Sequence, residues 1–271
     1  SADFEPAPDM AVTVRESVKT SNEVEDVGDQ TALAKSSIGP SGIITTLQNE
    51  RSWLAVELIG QVGSVTVMVE GYDETRADTD EAIQAFRDSL DDRPAEVAAL
   101  FEEPLAGLDA LEQVRADIDA STTPRDPSNI QFASEIFDRY TALIEPFFEA
   151  TTRLSLAVDD PELRQGAELA DAVARQIETF SLLMRDTIVT ATLTPDGIDT
   201  APEITQIAML QSDFQHYAAT MQNATGRYAQ LAEDHFPAEL TASTDDQITQ
   251  ALTTGTIDLP TLLEAANAPN D

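Results

Sequence analysis

Apolar residues recur along most of this chain at steps of three and four, the spacing of one face of an α-helix. The clearest run is 128–158, where Ala133, Ile136, Phe137, Tyr140, Leu143, Ile144, Phe147, Phe148 and Leu154 share a face. A second reads Ile207, Leu210, Phe214, Tyr217, Met221, Ala224, Tyr228, Leu231. A third reads Leu169, Val173, Ile177, Phe180, Met184, Ile188, and a fourth covers Val97, Leu100, Phe101, Leu105, Leu108, Leu111, Val114 and Ile118. Each stripe is backed by an acidic face, which predicts helices that bury one side against one another. Pro104 lies inside the fourth run and predicts a kink or break there.

Turn and cap residues separate these runs. Gly39-Pro40-Ser41-Gly42, Asp91-Asp92-Arg93-Pro94, Ser121 to Pro127, Asp159-Asp160-Pro161-Glu162 and Thr194-Pro195-Asp196-Gly197 read as loops, turns or helix starts. The one strand-like stretch, Val62 to Val69, is short and has no evident pairing partner, so it is assigned to a helix end or a loop. The expected class is all-α: one elongated antiparallel bundle of about eight helices, or two stacked four-helix bundles. Residues 1–10 and 265–271 are expected to be linkers, with a single domain over 11–264.

Charge narrows the partners. The 271 residues carry 50 acids against 15 bases, a net −35, while 42% hydrophobic residues still permit a packed core. Such a field repels phosphate backbones and anionic headgroups, so no nucleic-acid partner and no adsorption to acidic membranes is expected. Acid-rich surfaces of this kind suit a halophilic cytosol or exposure outside the cell of a high-GC organism.

Reactive groups are scarce. Without cysteine there is no disulfide, thiol nucleophile or thiolate-bound zinc. Only two histidines occur, His216 and His235, and Asp213-x-x-His216 is the nearest approach to the Glu-x-x-His ligands of a di-iron bundle. Gly-rich phosphate loops and calcium or zinc motifs are absent from the sequence. No metal, no cofactor and no enzymatic activity are expected.

Arginine is rare and its positions are informative. In the helix over 41–62 the stripe Ile43/Ile44, Leu47, Leu54, Leu58 passes through position 51, which is Arg51. In the next helix Thr79, Ile83, Phe86, Leu90 extends back to Arg76, and Arg185 flanks Met184 and Ile188. A core-facing guanidinium cannot shed its proton and must be paired. Its partner is either a buried carboxylate or a small planar anion, which the fork of donors fits equally well. Arg139, Arg153 and Arg227, also on stripe flanks, read as surface arginines.

The words around these arginines carry a resemblance. Leu47-Gln48-Asn49-Glu50-Arg51-Ser52 is similar to the LQxERG signature of the nitrate- and nitrite-sensing (NIT) domain family, and Arg76-Ala77-Asp78-Thr79-Asp80-Glu81-Ala82 to its R-x-x-T-D-x-A element. Ala85 to Leu90, Tyr140 to Phe148 and Asp160-Pro161-Glu162-Leu163 also fit, so that the likeness runs over 40–236. The resemblance implies an all-helical sensory domain that binds nitrate or nitrite between helices. One arginine of the family's site lies in LQxER, matched by Arg51, and another in a later GxER word, where Leu182-Leu183-Met184-Arg185 stands here without the Gly and Glu. The ligand set expected is therefore Arg51, Arg185 and Arg76, lined by Leu47, Trp53, Thr79 and Met184, with Thr187 and Thr190 as further hydroxyl donors.

Such domains serve receptor histidine kinases, chemoreceptors, cyclases and antitermination regulators. By that resemblance the segment Ser1 to Asp271 is expected to be the extracytoplasmic part of a membrane-tethered homodimeric receptor, its output module elsewhere in the full-length protein. The alternative location is a cytoplasmic regulator. The alternative function is a helical dimerisation or protein-interaction scaffold that binds no small molecule.

Overall fold

The computed structural model describes residues 37, 41–60, 72–91, 93–120, 128–156, 161–193, 201–225 and 229. Every element among them is helical: α1 (Ile43–Gly60), α2 (Tyr72–Leu90), α3 (Ala95–Ala99), α4 (Glu102–Gly107), a 3-10 turn (Leu108–Ala110), α5 (Leu111–Ala120), α6 (Ser128–Leu156), α7 (Pro161–Leu193) and α8 (Ala201–Gln222). The chain is an all-α bundle. The strand-like stretch at 62–69, the expected linkers, Tyr228 and Leu231 lie outside the described residues.

Two of the sequence stripes account for most of the core. The α6 run is buried from Ala133 through Phe148, and Ile136, Tyr140, Ile144, Phe147 and Phe148 have no exposed surface. It packs with Ile43, Ile44 and Leu47 of α1, Phe86 and Leu90 of α2, and Phe101, Leu108, Leu111 and Val114 of the segment beyond. Phe86 is central, its ring edge-on to Phe101 at 5.0 Å and to Phe147 at 5.9 Å. Edge-to-face aromatic contacts of this kind add about 0.5–1.5 kcal/mol each beyond the area they bury.

The segment with Pro104 breaks as expected. Leu100 and Phe101 donate to the carbonyls three residues back, Val97 and Ala98, which ends α3 with a tight turn before α4 begins. Pro104 then sits in the first turn of α4, where its missing N–H costs nothing. The break lets Phe101 turn fully inward.

Helix α7 departs from its reading. Leu169 is buried, but Ile177 is 47% exposed. Two successive four-residue steps rotate about 80° round a helix, so Ile177 has left the face that Leu169 begins. The face that is buried runs through Leu169, Ala172, Gln176, Thr179, Leu183, Asp186 or Thr187, and Thr190, with Glu178 beside it. More than half of these residues are polar, and hydrophobic periodicity is blind to them. α7 packs along α8 and also meets α6 and α1. Its apolar contacts with α8 form two small clusters, around Leu183, Ile207, Leu210 and Phe214 and around Leu169, Ala172 and Met221.

Candidate functional site

One turn of α1 buries three polar side chains, Gln48, Glu50 and Arg51, the last two with no exposed surface. Leu47, on the same turn, belongs to the aromatic core. Charges this deep require partners.

Arg51 finds them on α6 and α7. Its Nη1 donates to Glu178 Oε1 at 2.6 Å and its Nη2 to Glu178 Oε2 at 2.7 Å, a bidentate ion pair. Nη1 also donates to the Thr141 hydroxyl at 2.8 Å, and Gln48 Nε2 donates to Glu178 Oε2 at 2.9 Å. Arg51 Nε is buried and has no acceptor among the described residues. The guanidinium carbon stands 4.3 Å from the centre of the Phe137 ring.

Arg185 reaches the same ring. Its guanidinium carbon lies 5.1 Å from the Phe137 centre. Its Nε donates to Asp186 at 2.6 Å and its Nη1 to the exposed Asp138. Burial works against the Arg185 charge, but the neighbouring carboxylates of Asp186 and Asp138 outweigh it and raise the pKa. Two arginines 134 positions apart in sequence thus share one aromatic platform, each held by cation–π attraction.

Glu50, one residue earlier, has a different set of partners. It accepts Arg115 Nε at 2.7 Å, Arg115 Nη2 at 2.8 Å and the Tyr140 hydroxyl at 2.6 Å. Arg115 Nη1 continues to Asp80 at 2.7 Å, and Nη2 to the Arg76 carbonyl at 3.2 Å. Burial opposes the Arg115 charge, and the hydrogen bonds and charges of Glu50 and Asp80 more than reverse that, leaving its pKa raised.

Arg76 is not brought to this site. Its side chain is 18% exposed and makes a two-pronged pair with Asp119 of α5, at 2.7 and 3.0 Å. The stripe on α2 turns outward before reaching it, and Thr79 is the last buried position, its hydroxyl 2.9 Å from the Thr75 carbonyl and 3.3 Å from that of Thr46. Thr187 and Thr190 are buried on α7, and the Thr187 hydroxyl has no partner among the described residues. The side chains of Trp53 and Met184 lie outside the described set.

A groove of about 230 Å³ opens elsewhere, between α6 and the α3–α4 break, lined by Leu100, Pro104 and Pro146 with three acids, Glu103, Glu145 and Glu149, against one base, Arg153. Its charge is wrong for an anion. Among the described residues no group of three or more metal-ligating side chains occurs, and no helix is long and apolar enough to cross a membrane.

The model of the family described as nitrate and nitrite sensing matches residues 42–269. The chain belongs to the NIT family. As a NIT domain it is a nitrate- and nitrite-sensing signalling module, and the family is sensory rather than catalytic. No curated protein and no solved structure matches it.

Sequence reasoning found both arginines of the Phe137 platform and missed what surrounds them. Glu178 was hidden among fifty acids. Phe137 read as one more core aromatic, and Gln48 and Thr141 carried no separate signal. The density of polar residues in Gln48-Asn49-Glu50-Arg51, in a helix whose flanks are apolar, was the available clue.

Proposed function

We propose that this domain senses a small planar anion, nitrate or nitrite, held between α1 and α7 by Arg51 and Arg185 across Phe137. The observation that carries the reading is the meeting of these two arginines on one ring, in a chain of the nitrate- and nitrite-sensing family. A guanidinium offers parallel N–H donors that match two oxygens of such an anion, and each charge-assisted bond contributes about 1.5–3 kcal/mol net. With a net charge of −35 the protein cannot draw an anion from a distance, so affinity must come from donors sequestered inside the bundle.

Arg51 belongs to α1 and Arg185 to α7, so a ligand touching both couples the two helices. Preference of the ligand for one helix arrangement shifts the population toward it, and that shift is the signal. It passes to an output module in the full-length protein, which is read as a membrane-tethered homodimeric receptor with this domain outside the cytoplasm. The domain itself performs no chemistry.

Calorimetric titration tests the reading. Nitrate or nitrite is expected to bind the wild-type domain, and Arg51→Ala and Arg185→Ala to abolish the heat. Equal binding by wild type and Arg51→Ala, or no binding by either, rejects it.

One observation favours a second reading, a scaffold without ligand: the end-on edge of Arg51 is already engaged by Glu178. Melting separates the two. A specific anion at about a hundred times its dissociation constant raises stability by about 2.7 kcal/mol. A scaffold responds to nitrate no more than to chloride.

A further inference from the structure

We infer that Glu178 is the built-in competitor for the anion at Arg51, so that ligand binding is an exchange of one bent O–X–O anion for another. The inference rests on the anion-site reading and adds a residue that sets its affinity and its selectivity.

Glu178 presents its two carboxylate oxygens to Nη1 and Nη2 of Arg51 at 2.6 and 2.7 Å, with Gln48 as a third donor at 2.9 Å. That donor set is what a free formate, nitrite or nitrate ion would use, because all three offer a pair of oxygens on one central atom. The carboxylate arrives on α7 and the guanidinium on α1, so the pair is also a bolt between the helices. Arg51 has no exposed surface and Glu178 almost none, so water does not loosen the bolt.

An entering anion that uses the paired Nη1 and Nη2 donors must take over the edge that Glu178 holds, since two anions on one guanidinium edge repel. Exchange therefore replaces the direct Arg51–Glu178 link between α1 and α7 by one that runs from Arg51 through the anion to Arg185. Selectivity follows. An ion with a matched pair of oxygens replaces the carboxylate bond for bond, whereas chloride offers a single centre to two donors.

The test is nitrate titration of four full-length chains followed by melting. Glu178→Gln removes the competing charge but keeps an acceptor for Arg51, and is expected to bind nitrate about tenfold more tightly than wild type. Glu178→Asp keeps the charge but withdraws it by one methylene, and is expected to bind a few-fold more tightly. Glu145→Gln removes an equal charge nearby without touching Arg51, and is expected to change affinity less than about twofold. If Glu178→Gln and Glu178→Asp bind no more tightly than a wild type that does bind nitrate, the exchange is wrong and the anion site stands. If no variant and no wild type binds, both fall together. Should Glu178→Gln fold poorly, Glu178→Ala decides by rescue: formate, nitrite or nitrate is expected to restore its melting temperature and chloride to restore less. Equal rescue by chloride overturns the exchange.

Discussion

Glu50 and Arg51 are neighbours of opposite charge, both without exposed surface, yet they anchor two centres built to different rules. At Glu50 every strong group is used: the carboxylate accepts three bonds, and all three nitrogens of Arg115 donate. At Arg51 the carboxylate of Glu178 also accepts three bonds, but Nε of the arginine has no acceptor among the described residues. A second arginine, Arg185, shares its aromatic platform. A saturated ion pair locks helices together and has nothing left to offer a ligand. The Arg51 pair keeps one buried donor, Nε, that has no acceptor among the described residues, and the nearby Arg185 is paired with Asp186 and Asp138. The contrast fits the proposal, with structure at the first centre and the proposed anion site at the second.

The strongest way to break that contrast is to remove a partner from each. Arg115→Ala leaves Glu50 buried with only Tyr140, and is expected to lower the unfolding free energy by about 3–5 kcal/mol without altering nitrate affinity of the folded fraction. Urea melts with and without nitrate check both halves. Arg51→Ala is expected to cost about 3 kcal/mol, because Glu178 is stranded, and to abolish the nitrate-dependent shift. Arg51→Met with Glu178→Met removes both charges and is expected to regain most of that loss, since well-packed apolar replacements of a buried pair are often neutral. The regained stability must come without any response to nitrate. A double variant that still responds would move the site away from Arg51.

Phe137→Leu acts on the platform alone. It keeps an apolar side chain on α6 while removing the π face under both guanidinium groups, and is expected to cost about 1–2 kcal/mol. Nitrate affinity should fall with it, because the two arginines lose their common support. Calorimetry on the folded variant checks this, and unchanged affinity would mean that the ring serves packing only.

The legibility of the molecule follows the same division. Stripes such as Ile136, Tyr140, Ile144 and Phe147 repeat at helical spacing and are buried together, so α6 and the aromatic core could be read directly. Arg51 was legible because it interrupts such a stripe, and Arg185 because it flanks one at about the place of the family's second arginine, though without that word's Gly and Glu. Arg76 was read as a third member, yet it pairs with Asp119 near the surface, since a stripe extended to a helix end does not say where the core stops. Glu178 and the polar face of α7 were not legible. A carboxylate whose partner is 127 residues away has no local pattern, and in so acidic a chain its type says nothing.

The smallest test concerns a third arginine centre, Arg175, which stands over Phe148 at 4.9 Å and pairs with Asp171 at 3.0 Å beside the Glu178 region. Burial pushes the Asp171 carboxyl above its ordinary 3.8, against the pull of Arg175. The folded chain therefore binds more protons than the unfolded chain between 3.8 and the raised value. Stability from this group rises as pH falls through that window and levels off below it. Asp119 has the opposite sign: the hydrogen bond from Arg76 holds its carboxyl below 3.8, so its contribution is present above that value and lost beneath it. Unfolding free energies of wild type and Asp171→Asn, followed downward from neutral pH, should diverge in slope above 3.8, the wild type gaining relative to the variant. Asp119→Asn should instead match the wild-type slope there and lose less below. Parallel curves for wild type and Asp171→Asn would mean that folding does not raise the Asp171 carboxyl, and that Arg175 offsets its burial in full.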